Sequence, residues 1–339
     1  MSKISHSFLR RRRAVLAGLG TGILASALGG WPHTARAAPL ESLVLYGPPS
    51  GPSIILTQAM ASGGLPGVAR TASLKVWRNP DEMRAGLSSG TMQAVVLPVQ
   101  VAANLYNRGM KLKLLNVMTQ GLLYVLSADP AIDSIASLKG KTLAVPFRHD
   151  MPDLVLARLL AHEDLHPGKD LTILNSGTPT EAIQMLLAGR VDAVLAPEPA
   201  CTAAIARGRG QGKLIRRAVD VQQVWGQFTG LGPILPQAGL ALVGPLTNAD
   251  THPGLAQALQ ALLAEAASAV NGDPAQAAAR AAPALEYPVA ILEASIPPSK
   301  LVAVPARAQK APIEAMLSVL AERDSGIIGG HLPDDGFYL

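Results

Sequence analysis

Ser137-Leu-Lys-Gly-Lys-Thr-Leu-Ala-Val-Pro146 opens the segment that decides the fold, and Gly189-Arg-Val-Asp-Ala-Val-Leu-Ala-Pro-Glu-Pro199 closes it. Within it, Thr142 to Pro146 has the length and apolar character of a buried strand. Met151 to His162 reads as a helix with Asp150 as its cap, and Leu171 to Asn175 as a second strand. Thr178-Pro179-Thr180-Glu181 then supplies a cap, a first-turn proline and a third-position glutamate, the order of a capping box. Ile183, Leu186 and Leu187 fall on one face of the helix that follows. Gly189 ends it, Val191 to Ala196 is a third strand, and a helix runs on to about Arg207 before a Gly/Arg loop. Strands alternating with helices predict a mostly parallel sheet with right-handed crossovers. Ligands of such sheets sit beyond the carboxyl ends of the strands, against helix N-termini.

The same punctuation stands upstream. A shift of 99 residues lays Asn79-Pro80-Asp-Glu82 on Thr178-Pro179-Thr-Glu181, and Gly90-Thr-Met-Gln-Ala-Val-Val-Leu-Pro98 on Gly189-Arg-Val-Asp-Ala-Val-Leu-Ala-Pro197. Cap, proline, glutamate, glycine, Ala-Val and final proline coincide, as expected of one capped helix–Gly–strand–Pro unit per half of a two-lobed chain. Around it, Ser42–Tyr46, Ser73–Trp77, Met92–Leu97, Leu112–Val117 and Leu122–Ser127 read as strands. Helices are expected from Pro52 to about Ser62, from Asn79 to about Gly90, and over about 99–107. Downstream, Gly239–Gly244 is a strand, and Leu255–Val270, Gln276–Ala282, Val289–Ala294 and Pro312–Glu322 are helical. The apolar tail ending at Tyr338 is expected to pack on a lobe.

The 339 residues suit two α/β lobes better than one core. Hydrophobic content is 49%, charged content 16% and aromatic content 4%; the last argues against a base-stacking surface. The net charge of +5 belongs to the first 37 residues, where Lys3, Arg10 to Arg13 and Arg36 meet no acid. Taking those six from 29 leaves 23 basic residues against 24 acids. No basic footprint for nucleic acid remains. The four arginines, the apolar run from Ala14 to Leu28 and Ala35-Arg36-Ala37 describe a secretory signal over 1–37. Arg12-Arg13-Ala14-Val15-Leu16 resembles the twin-arginine export motif, with a Sec signal as the alternative. A soluble periplasmic protein is expected. The single cysteine, Cys201, can form neither an internal disulfide nor a thiolate cluster, and the histidines show no metal-binding spacing. No metal, cofactor or catalytic constellation is expected.

Ser137-Leu-Lys-Gly-Lys-Thr-Leu-Ala-Val, Leu187-Ala-Gly-Arg-Val-Asp-Ala-Val and Gly329-Gly-His-Leu-Pro-Asp-Asp-Gly-Phe-Tyr resemble the nitrate/sulfonate/taurine-type family of periplasmic solute-binding proteins. That family serves ATP-driven importers and includes binders of pyrimidine thiamin precursors. The resemblance covers about Leu43 to Tyr338. It implies an α/β, two-lobed periplasmic binding protein fold of type II, with mostly parallel sheets and a two-strand hinge crossing near 122–130 and 236–245. Lobe 1 is then expected over 40–127 plus 238–339, and lobe 2 over 128–237. It also implies a monomer, a small-molecule ligand, and permease and ATPase subunits as partners.

The expected cleft collects loops 47–53, 97–100, 147–151, 176–180 and 196–200, whose helix N-termini favour an anion or a polar acceptor. Ser50 is a hydroxyl donor or, with Gly51 as the alternative, the cap of the helix opening at Pro52, and Pro98 ends the strand opposite. Thr178 is a cap that can also face the cleft. Arg148, directly after a strand, can take a sulfonate, carboxylate or phosphate bidentately, or stand as a solvated loop arginine. His149 can bond a ligand or respond to pH. Gln120 interrupts the apolar run before the first crossing. Glu198 would favour an amine or ring N–H, which fits Arg148 only for a zwitterion. Trp225 can stack on a ring or fill a core. The solute is thus anionic, zwitterionic or pyrimidine-like. Two other functions share the fold: a sensor subunit for a membrane kinase, and an enzyme making a thiamin-pyrimidine or menaquinone precursor.

Overall fold

The computed structural model describes residues 39–61 and 63–339; the expected leader over 1–37 lies outside them. The chain runs β1 (Leu40–Gly47), α1 (Pro52–Ala59), β2 (Ala69–Val76), α2 (Pro80–Ser88), β3 (Ala94–Pro98), α3 (Val99–Asn107), β4 (Leu112–Leu114) and β5 (Asn116–Thr119). It crosses into β6 (Leu123–Ser127), β7 (Thr142–Pro146), α4 (Met151–His162), β8 (Thr172–Ser176), α5 (Pro179–Leu187), β9 (Ala193–Pro197), α6 (Ala200–Gly210), β10 (Arg216–Asp220) and α7 (Val221–Thr229). It returns as β11 (Ala238–Val243), α8 (Leu255–Gly272), α9 (Pro274–Leu285), α10 (Val289–Ser295), β12 (Leu301–Pro305) and α11 (Lys310–Ala321).

Two sheets result, β12-β5-β11-β3-β1-β2 with β4 on β11, and β10-β6-β9-β7-β8. In each, three strands pair in parallel, β3-β1-β2 and β9-β7-β8, with helices filling the crossovers. In each, the next strand is antiparallel and comes from the segment that has just crossed: β11 on β3, β6 on β9.

β6 therefore corrects the expected boundary. Residues 123–127 lie in the middle of the second sheet rather than in lobe 1, so the first crossing, 120–122, comes earlier than expected; the second is 230–237. Every residue of β6 is buried, and an apolar strand carries no local mark of which sheet takes it. The two crossings touch, the Leu235 N–H donating to the Gln120 carbonyl at 2.8 Å. The single strand expected over 112–117 is divided at Leu115, whose N–H turns to the Leu240 carbonyl.

The 99-residue repeat is structural. Asn79 and Thr178 have nearly the same extended backbone, φ −149° and −144°. Each side chain accepts from the N–H of its glutamate, Glu82 or Glu181, at 2.9 and 3.2 Å. Each glutamate reaches back to an N–H before the cap, of Arg78 or Gly177, at 2.8 Å. Both helices have nine residues. Gly90 and Gly189 follow them with φ of 73° and 70°, the left-handed region that glycine enters without a Cβ penalty.

One buried apolar cluster runs from Val95 and Leu97 in the first sheet through Leu123 to Val145 and Leu195 in the second. A second cluster packs α1, α8 and α9 on the outer face of the first sheet, where Ala277, Ala278 and Ala281 keep the helices close. Among the described residues no helix is long and apolar enough to cross a membrane.

Candidate functional site: a cleft between the sheets

A cavity of about 440 Å³ lies between the strand tips of the two sheets. Six helices begin on its wall: α1 behind Ser50, α2 at Pro80, α3 at Pro98, α4 at Met151, α5 at Thr178 and α6 at Ala200. Proline rings, Trp77, Phe147, Tyr287, Met83 and Met151 are among the residues that line the rest of it.

Of the expected residues, Ser50, Pro98, Thr178 and Glu198 line the cavity. Ser50 is not the helix cap. That position is Gly51, which makes no side-chain cap bond, and Ser53 pins the loop by donating to the Pro48 carbonyl at 2.6 Å. The Ser50 hydroxyl is thereby left to the cleft. Gly51 faces the other way: a Cβ there would lie 2.8 Å from Leu301 and 3.0 Å from Ser299. Gln120 serves the crossing, its N–H donating to the Lys300 carbonyl. Trp225 is 1% exposed in α7, edge-on to Phe228 at 5.8 Å, and fills a core.

Arg148 and His149 are exposed and outside the cavity wall. The reason is the turn that carries them. Phe147 and His149 both take positive φ, 58° and 62°, and the Asp150 N–H closes on the Phe147 carbonyl at 2.9 Å. Two left-handed non-glycine residues reverse the chain within three positions, at a cost of order 1–3 kcal/mol each. The turn puts Phe147 on the cavity wall and leaves Arg148 and His149 outside it.

Asp150, expected as a cap, does more. It accepts from the Met151 N–H at 2.8 Å, from Gln100 Nε2 at 2.9 Å and from Arg84 Nη2 at 2.9 Å. Gln100 and Arg84 belong to α3 and α2 beside the first sheet, so one carboxylate joins the two halves across the cleft. Farther along α4, Arg158 pairs with Glu322 beyond α11.

Glu198 is wholly buried and fully answered. Oε1 accepts from Arg217 Nε and Nη2; Oε2 accepts from the Thr202 N–H at 3.1 Å and its hydroxyl at 2.8 Å. Burial pushes its carboxyl above the usual carboxylate range, with Arg217 opposing. It offers no free lone pair to an amine, contrary to expectation.

Four wall residues carried no sequence signal. Trp77 is held by its indole N–H on the Val96 carbonyl at 3.0 Å. Arg78 forms a two-bond pair with Glu286 at 3.1 and 3.2 Å, each holding the other's charge: the guanidinium is raised, the carboxyl lowered. Gln237, 5% exposed, gives its carbonyl to the Val99 N–H at 3.0 Å, while its Nε2 has no partner. Among the described residues no group of acids, histidines or cysteines is placed to hold a metal.

Paired three-strand parallel units, exchanged antiparallel strands and a cleft at the strand tips define the two-lobed α/β fold of periplasmic binding proteins, type II. The chain belongs to the NMT1-like family, whose profile matches residues 80–285. No curated protein matches it in sequence. Among solved structures it is similar to an ABC transporter protein from Parabacteroides distasonis, 22% identical with a TM-score of 0.73, 88% of this chain covering 99% of that one. It is also similar to the periplasmic aliphatic sulphonate binding protein SsuA from Escherichia coli, 18% identical, TM-score 0.66, covering 88% and 93%. The periplasmic nitrate-binding protein NrtA from Synechocystis follows at 15%, TM-score 0.58, covering 76% and 71%.

Proposed function

We propose that this protein is the exported solute-binding component of an ABC importer, holding one small organic molecule between its lobes for a permease and ATPase. The observation that carries the reading is the cavity of about 440 Å³ whose wall is contributed by helix starts from both sheets. Loops from two bodies around a shared gap can close on a solute and reopen. Family membership and the likeness to importer proteins support it, as does the leader-like sequence before residue 38. Binding without turnover is favoured over catalysis because the carboxylates on the wall are engaged by arginines: Asp150 by Arg84, Glu198 by Arg217, Glu286 by Arg78. The Cys201 thiol is buried on the Ala196 carbonyl, and burial drives it away from thiolate.

The test strips the protein by unfolding, refolds it, and incubates it with a small-molecule extract of spent growth medium. Native mass spectrometry should show a one-to-one adduct whose small molecule is released unchanged on denaturation. Release of a chemically altered compound would make it an enzyme. Absence of any adduct would remove the binding reading.

A further inference from the structure

We infer that the cleft takes an uncharged solute and rejects nitrate- and sulfonate-like anions. The inference rests on the binding reading above and narrows it.

The cleft has the shape of an anion site in which each helix start has lost at least one donor. Unpaired first-turn N–H groups are what make helix starts attract anions. Here proline occupies the first turn of α1, α2, α4 and α5, at Pro52, Pro80, Pro152 and Pro179, and has no N–H to give. Asn79 and Thr178 consume a further donor in α2 and α5. Asp150 brings a carboxylate to the start of α4. The first N–H of α3 goes to the Gln237 carbonyl, and an early N–H of α6 goes to Glu198.

The side chains agree. Among the described wall residues Arg78 is the one base, against Asp150, Glu198 and Glu286. Arg78 is spent on Glu286, while Arg84 and Arg217 stand behind the wall, spent on the other two acids. An anion would find no unpaired cation on the wall, its one base already facing Glu286. A cation would meet carboxylates whose arginines already neutralise them.

What remains is neutral: the hydroxyls of Ser50, Thr180 and Tyr287 on the wall, and the Gln237 carboxamide, whose Nε2 is enclosed without a partner. A buried N–H left unpaired costs about 1–3 kcal/mol, so a solute whose polar group pairs the Gln237 carboxamide as that amide turns toward the cleft is favoured. Trp77, Phe147 and Tyr287 beside it suit a ring.

The experiment separates the medium extract by ion exchange into anionic, cationic and uncharged fractions. Each is added to the stripped protein, together with nitrate, methanesulfonate, taurine and the ring-matched pair nicotinamide and nicotinate. The uncharged fraction should raise Tm and the charged fractions should not. Gln237→Met should weaken that fraction's effect on the order of tenfold in apparent affinity, the worth of one such hydrogen bond. Glu286→Gln, which frees Arg78, should create stabilisation by nicotinate that the parent lacks. Stabilisation of the parent by an anionic or cationic fraction, or by nitrate, methanesulfonate or taurine, overturns the inference and leaves the binding reading standing. Stabilisation by no fraction overturns the binding reading itself.

Discussion

Glu198 and Arg217 show how a single pair decides what the cleft can do. The carboxylate occupies the position expected to meet an amine, yet four hydrogen bonds from Arg217 and Thr202 saturate it. Removing one partner of a buried pair leaves an uncompensated charge and costs about 3–5 kcal/mol. Arg217→Met should therefore destabilise by about 3 kcal/mol at pH 7, since Arg217 is itself partly exposed. The pH sign follows from linkage. Burial already raises the Glu198 carboxyl, and Arg217 is the main force holding it down. Without Arg217 it rises further. A carboxyl raised in the folded state lends stability below its unfolded value near 4.5, and that stability is lost as pH climbs. Urea midpoints of Arg217→Met should then fall further behind the parent at pH 7 than at pH 5, and Glu198→Gln added to it should recover most of the loss. Equal penalties at both pH values would mean Glu198 is not the group left exposed. Arg148 is the complementary case. A sequence shows a base after a strand but not the left-handed turn at Phe147 and His149 that leaves it off the cavity wall. Gln237 and Glu286 reach the wall from distant segments, so nothing local could have marked them.

Among the elements, α2 and α5 are the pair whose equivalence was legible in the sequence, because a cap, a proline and a glutamate act within one turn and need no tertiary partner. Asn79→Ala and Thr178→Ala should each cost about 1 kcal/mol, close to equal and additive, since the two caps share no partner. Thermal or urea unfolding checks this; a loss at only one cap would break the equivalence. Other elements hid. β10 is an edge strand beginning Arg216-Arg217, mostly half-buried, so its charges read as loop. β12 lies among Pro297, Pro298 and Pro305, which read as breakers. It tolerates them because it is the outermost strand of its sheet, pairing only β5, and an edge leaves one row of N–H groups unneeded.

At the level of the whole molecule the two halves meet through α4. Its N-terminus is tied by Asp150 to Arg84 and Gln100, and its middle by Arg158 to Glu322. Arg84 is not on the cavity wall, so it acts on a solute through Asp150, by holding the halves together and by neutralising that carboxylate. Arg84→Ala should widen the ligand-free protein in small-angle scattering. It should also weaken apparent solute affinity about three- to tenfold, as loss of one charge-assisted hydrogen bond would. Unchanged affinity with an unchanged envelope would show that the contact does not govern closure. The alternation of strands and helices made two lobes legible, but their first border was displaced because β6 belongs to the sheet beyond its crossing.

That exchange orders the maturation of the protein. β11 stands between β5 and β3 in the first sheet, yet it is synthesised after every strand of the second. The half that leads in the gene must wait, its central gap unfilled, until about residue 243 has emerged. The trailing half has its last strand by Asp220 and is complete first. The lobe written second thus has all its strands before the lobe written first has its own, which still waits for β12 at Leu301–Pro305.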